Sequence, residues 1–135
     1  MGKSSFLAPV PYMHLDGAIE ILKGKPFVLF GTEAFKFFQD VEEGARALIY
    51  RSHEDADPVI SHQGIYRGYV GDLGEMRRLE RDGFRPATTS GESWGMYWKC
   101  SDIQLLPHPI PFGQVQLASR KYLKCYPRGP AEIVS

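Results

Sequence analysis

Cysteine is nearly absent from this sequence of 135 residues: Cys100 and Cys125 are the whole supply. They make neither a C-x-x-C pair nor a framework, so a disulfide-stapled scaffold and a thiolate metal site are excluded. Two buried or half-buried thiols in a reducing compartment are expected instead. Net charge is missing too, with sixteen basic residues against sixteen acidic ones. That argues against strong non-specific binding of polyanions, which comes from phosphates neutralised by Lys and Arg, but it leaves room for a local basic face. No apolar run approaches the roughly 18–20 residues needed to span a bilayer. The start, Met1 to Phe6, carries one cation before a short apolar patch broken by Pro9 and Pro11. It is too short for a signal peptide and lacks the hydroxyl residue a myristoylation signal wants. A cytoplasmic protein is expected.

Catalytic signatures are also wanting. The glycines are scattered, and none precedes Lys-Ser/Thr at phosphate-loop spacing; there is no G-x-S-x-G. His53, Glu54, Asp55, Asp57 and His62 crowd a polar stretch without a helical H-x-x-x-H, which reads as a solvated loop and not as a metal site. His14 and Asp16 likewise lack a nucleophile. The expectation is a chain with no metal, no cofactor and no covalent chemistry of its own.

What is present is ordinary globular composition, 43% hydrophobic and 24% charged, in a length suited to one domain over residues 1–135. Phe6-Leu7-Ala8 reads as a first strand ended by the prolines. Asp16 caps a helix with Ala18, Ile19, Ile21 and Leu22 on one face, stopped by Gly24 and Pro26. Phe27-Val28-Leu29-Phe30 reads as a buried strand. Thr32 then caps a helix through Ala34, Phe35, Phe37, Phe38 and Val41, ended by Gly44, with its phenylalanines in the core. Ala47-Leu48-Ile49-Tyr50 is the clearest strand, residues 51–62 a loop, and residues 64–70 another strand. Residues 75–82 are helical, with Met76 and Leu79 inside and the arginines outside. Residues 94–106 form a long strand closed by Pro107-His108-Pro109, and Val115-Gln116-Leu117 a last edge strand, before an extended tail from about 118. The order predicts an α+β fold: a curved or barrel-like mixed sheet of five to six strands with two to three helices packed outside.

These residues resemble a known group. The run Glu42-Glu43-Gly44 through Leu48-Ile49-Tyr50-Arg51-Ser52, the following GIYRGYV, and Trp94 leading to Leu105-Leu106-Pro107-His108-Pro109-Ile110 look like the PUA-like superfamily, in particular its EVE and YTH branches. The likeness covers the chain from Phe6 to Leu117. It implies a nucleic-acid-binding domain, of DNA or RNA, holding a flipped and modified (methylated) base in an aromatic cage. It also implies a partner nuclease or other effector, as in modification-dependent restriction or RNA processing. The chain departs from the YTH pattern at Leu29-Phe30, where a tryptophan is usual, and at Pro9-Val10-Pro11, where polar residues are. The identity of the base is left open.

On this resemblance the base pocket is expected from Phe30, Trp94, Tyr97 and Trp98, with Tyr12 and Ser52 as polar contacts. Stacking on such rings is worth about 1–3 kcal/mol per base. Core packing is the competing account of the tryptophan pair, which alternation puts on one strand face. Phosphate contacts are expected from Arg77, Arg78 and Arg81, with Arg85 near them, and from Arg120, Lys121, Lys124 and Arg128, which lie among Tyr122 and Tyr126. Glu75, Glu80 and Asp82 offer the arginines helical ion pairs, so a merely solvated helix competes there. Two rival functions stand beside the reader. One is a small hydrolase of modified nucleosides using Lys99 with Glu92 or Asp102, although Lys99 should point away from Trp98. The other is a protein-interaction module with an exposed apolar patch.

Overall fold

The computed structural model describes residues 2–52, 59–85, 95–122 and 129–134. The elements run β1 Lys3–Pro11, α1 Tyr12–Leu22, β2 Val28–Thr32, α2 Phe35–Phe38, β3 Val41–Ser52, β4 Val59–Val70, α3 Leu73–Arg81, β5 Met96–Pro111 and β6 Ala131–Glu132. Among the described residues they build one mixed, six-stranded sheet in the order β2-β5-β4-β3-β1-β6, in which only β1 and β3 are parallel. This is the α+β arrangement expected, and the sheet does not close into a barrel. β1 and β2 stand four places apart in the order, yet Phe6 of β1 meets Trp98, the β5 partner of Phe30 in β2, at 5.4 Å between ring centroids. Only a strongly curled sheet allows that.

The curl encloses an aromatic nucleus. Trp98 touches Phe6, Phe30 (5.0 Å), Phe38 (5.7 Å, stacked at 18°) and Tyr66 (6.4 Å). Ala8, Val10, Leu15, Ala18, Val28, Ile49 and Cys100 pack around these rings. A second cluster of Leu7, Leu48, Tyr50, Ile60, Leu106 and Phe112 fills the other face near β6. Under α3, Leu29, Val70, Met76, Leu79 and Tyr97 make a third. β5 supplies two of these by alternation, with Met96, Trp98 and Cys100 facing the nucleus and Tyr97 facing α3. Asp72 caps α3 properly, its Oδ2 accepting the Glu75 N–H at 2.9 Å.

Several boundaries differ from expectation. β1 runs through both prolines because β6 covers only Phe6 and Leu7, leaving an open edge where a missing N–H costs little. β5 passes Pro107 and Pro109 for the same reason, since β2 pairs with it only from Met96 to Cys100, and the register shift opposite Ile60 and His62 absorbs those residues. β4 begins at Val59, so the loop expected over residues 51–62 is shorter. α1 starts at Tyr12 directly after Pro11, without a side-chain cap from Asp16.

α2 is a single turn. Val41, expected inside that helix, instead pairs with Lys3, and burial of Phe38 among Phe6, Tyr66 and Trp98 outweighs local helix propensity. Phe35, expected in the core, is 46% exposed and lies against Gly95. Val115-Gln116-Leu117 makes only isolated bridges, to Tyr122 and Ile133, and the tail returns as β6 to pair with β1. Among the described residues no helix is long and apolar enough to cross a membrane, and no three His, Cys, Asp or Glu side chains cluster as metal ligands.

Phe38 is 1% exposed and carries four ring contacts. Replacing Phe38 with Ala should lower unfolding free energy by about 3–5 kcal/mol in urea titration. A loss under 1 kcal/mol would mean that the nucleus is not packed as described.

Burial pushes the Cys100 thiol up to about 12 from 9.0. Burial, aided by the hydrogen bond to Glu80, pushes the Tyr97 phenol up to about 12 from 10.0. Both groups are held neutral, so their share of stability is complete below pH 9 and is lost as pH climbs through 12. The urea midpoint should therefore fall across that window, and less steeply in Cys100→Ala than in the parent. Equal slopes would contradict a buried, neutral Cys100.

Candidate functional site

Where the curled sheet fails to close, the seam between β1 and β2 is open. Here lies a cleft of about 550 Å³, within the ~300–1,000 Å³ usual for small-molecule sites. One wall is Phe30 and Trp98 with the β2 backbone at Gly31 and Thr32; the other is Ala8, Pro9, Val10 and Pro11 of β1 with His14 of α1. Leu29, Glu33, Ala34, Arg85, Gly129 and Pro130 complete the lining.

Phe30 and Trp98 meet at 5.0 Å and 47°, so they form a single wall and leave no slot between them for a third ring. Trp98 is 3% exposed. The two rings therefore serve packing and the cleft together. A planar ligand would lie against them from the β1 side, facing the proline rings and the His14 imidazole.

The polar groups are set by local structure. Thr32 ends β2, and its Oγ1 accepts the Ala34 N–H at 3.0 Å, leaving its own O–H as a donor. Glu33 follows on the rim, where its Oε1 accepts the Gly95 N–H at 2.8 Å across 62 positions of sequence. That bond fixes a carboxylate at the mouth of the cleft. A side chain at position 95 would collide with the Phe35 ring, which is why the glycine fits there. Arg85 donates from Nη1 to the Tyr97 hydroxyl at 2.9 Å and lies 4.5 Å from the Tyr97 ring. The Tyr97 hydroxyl donates in turn to Glu80. Such a lining can hold a flat heterocycle and hydrogen-bond its edge.

Of the expected pocket residues, the structure brings Phe30 and Trp98 to the cleft. Tyr97 lies on the opposite strand face, under α3, and reaches the site only through Arg85. Tyr12 is half-buried at the start of α1, outside the lining. Ser52 ends β3, and its side chain lies outside what is described; Trp94 lies outside the described residues altogether. Arg77, Arg78 and Arg81 are exposed on α3, with Arg78 paired to Glu75. Arg120 and Lys121 are exposed, while Lys124 and Arg128 are outside the described residues.

Lys99 points away from Trp98, as alternation requires, and rests over Phe27 at 5.0 Å. Asp102 pairs with Arg67 at 3.2 Å, and Glu92 is outside the described residues. The described residues thus do not gather a lysine and a carboxylate in the cleft. The sequence reading missed His14, Thr32, Glu33 and Arg85 as cleft residues. Thr32 is expected as the cap of a long helix, and of that only its bond from the Ala34 N–H is present.

No protein-family model matches the chain, and no curated protein matches it. Solved structures do. The crystal structure of ASCH from Zymomonas mobilis is 15% identical, with a TM-score of 0.57, covering 96% of this chain and 87% of that one. A serine-to-alanine mutant of the same protein gives 15% identity, a TM-score of 0.60, and coverage of 96% and 88%. A tyrosine-to-phenylalanine mutant gives 16%, 0.51, and coverage of 83% and 78%. At this identity the likeness speaks for the fold. The chain shares the fold of these ASCH structures, and the EVE or YTH type expected from sequence is a finer distinction than the fold draws.

Proposed function

We propose that this protein is a nucleic-acid reader whose cleft accepts a flipped, modified base. The observation that carries the reading is the cleft at the open seam of a PUA-like sheet, with an aromatic wall on one side and a fixed polar rim. A base leaving its stack meets the accessible edges of Phe30 and Trp98 on one side and the Pro9 and Pro11 rings on the other. Thr32, Glu33, His14 and Arg85 supply donors and acceptors for its edge. A methyl group on the base finds apolar surface at Ala8, Val10 and Ala34. Arg77 and Arg81 on α3, with Arg120, Lys121, Lys124 and Arg128, are the proposed phosphate contacts. The reader works in the cytoplasm and acts through an effector such as a nuclease.

The test is fluorescence anisotropy with labelled oligonucleotides, single-stranded and duplex, carrying N6-methyladenine, 5-methylcytosine or no modification. Binding should weaken with salt and favour one modified base. His14→Ala and Phe30→Leu, each checked for an intact fold by circular dichroism, should weaken it at least fivefold. Absence of salt-dependent binding to every oligonucleotide, or cleft variants that bind like the parent, overturns the reading.

A further inference from the structure

A second concavity of about 810 Å³ lies between the end of α1, the start of β2 and β5. Its floor includes Phe27, stacked on Phe84 with centroids 4.7 Å apart and planes at 27°. Phe84 is held from both sides. Gly83, at φ +83°, turns the chain out of α3, and the Phe84 carbonyl accepts the Leu29 N–H at 2.9 Å. Lys25 Nζ sits 5.0 Å from the Phe84 ring and Lys99 Nζ 5.0 Å from the Phe27 ring.

Four cations and two carboxylates line this hollow. Arg67 is committed, to Asp102 at 3.2 Å and to the Ser101 hydroxyl at 2.7 Å. Lys23 is committed to Glu20 at 2.8 Å. Among the described residues Lys25 and Lys99 have no ion-pair partner, although acidic residues are as numerous as basic ones in the chain. A single lysine stem laid on a ring is an ordinary way to cover apolar surface. Two on one stacked pair are another matter. With Arg67 paired to Asp102 and Lys23 to Glu20, Lys25 and Lys99 outnumber the one remaining carboxylate, Glu43, and leave the hollow net positive toward an entering anion.

We propose that this hollow is a second binding site, which grips the phosphodiester backbone of a single-stranded nucleic acid through Lys25 and Lys99. It rests on the nucleic-acid reading above and adds a site that the cleft does not include. Cations interleaved with aromatic faces are the ordinary makings of a single-strand track. Phe27 precedes Thr32 by five positions, about 17 Å of extended chain at roughly 3.3 Å per residue. A short run of nucleotides spans that distance, so a strand whose base enters the cleft delivers neighbouring phosphates to the hollow.

The experiment compares the parent with the double variant Lys25→Gln/Lys99→Gln, and with Lys25→Arg/Lys99→Arg, by oligonucleotide anisotropy over a range of salt. Loss of two phosphate contacts should make the slope of log affinity against log salt shallower by about 1.4. Binding at low salt should weaken at least tenfold, and the arginine pair should restore both. A free nucleoside, which has no phosphate, should bind parent and glutamine variant alike. An unchanged slope and affinity in the glutamine variant, with parental binding intact, overturns this site and leaves the cleft standing. Failure of the parent to bind any oligonucleotide overturns both.

Discussion

The contact on which the rest of this molecule depends is that of the Trp98 indole with rings from four other elements. Phe6 comes from β1, Phe30 from β2, Phe38 from α2 and Tyr66 from β4. Edge-to-face and stacked pairs of this kind add about 0.5–1.5 kcal/mol each beyond the area they bury. To bring all four onto one indole the sheet must curl until β1 faces β2 across the interior. No backbone ladder joins those two strands, so the seam stays open, and the cleft is what the curl leaves behind. Its aromatic wall is therefore part of the core, which holds it rigid.

Much of this fold was legible in the sequence. Short apolar runs with β-branched and aromatic residues marked β2, β3 and β4, and the spacing of Met76 and Leu79 marked α3, although its Asp72 cap went unread. The alternation that turns Lys99 away from Trp98 was legible as well, whereas Tyr97 was expected beside Trp98 and lies on the other strand face. The errors share a cause. Ala34 to Val41 has helical character taken locally, but Phe38 gains more from the aromatic nucleus, and Val41 from its partner Lys3, than either gains from more turns of helix. Prolines at 9, 107 and 109 looked like strand ends because a sequence does not say which strand edge will lack a neighbour.

Of the candidate site, only the wall of Phe30 and Trp98 was legible, and the apolar wall of Ala8, Pro9, Val10 and Pro11 was not. Phe30 and Trp98 announce themselves by size and by strand position. His14, Thr32, Glu33 and Arg85 do not, since they come from three separate stretches of the chain and are brought together only by long-range contacts, as when the Gly95 N–H fixes Glu33. Lys25 and Lys99 are similar. They sit 74 positions apart, and their common surface exists only because Phe84 is tied to the edge of β2.

The central claim is that a planar base lies against Phe30 and Trp98 in the seam between β1 and β2. The most direct measurement is a nucleoside titration followed by NMR, reading the Trp98 indole N–H and the Gly31 and Thr32 amides. Saturable shifts at these three groups, with the far face around Tyr50 and Phe112 unmoved, are predicted. Saturable binding that leaves all three groups unshifted would contradict the account.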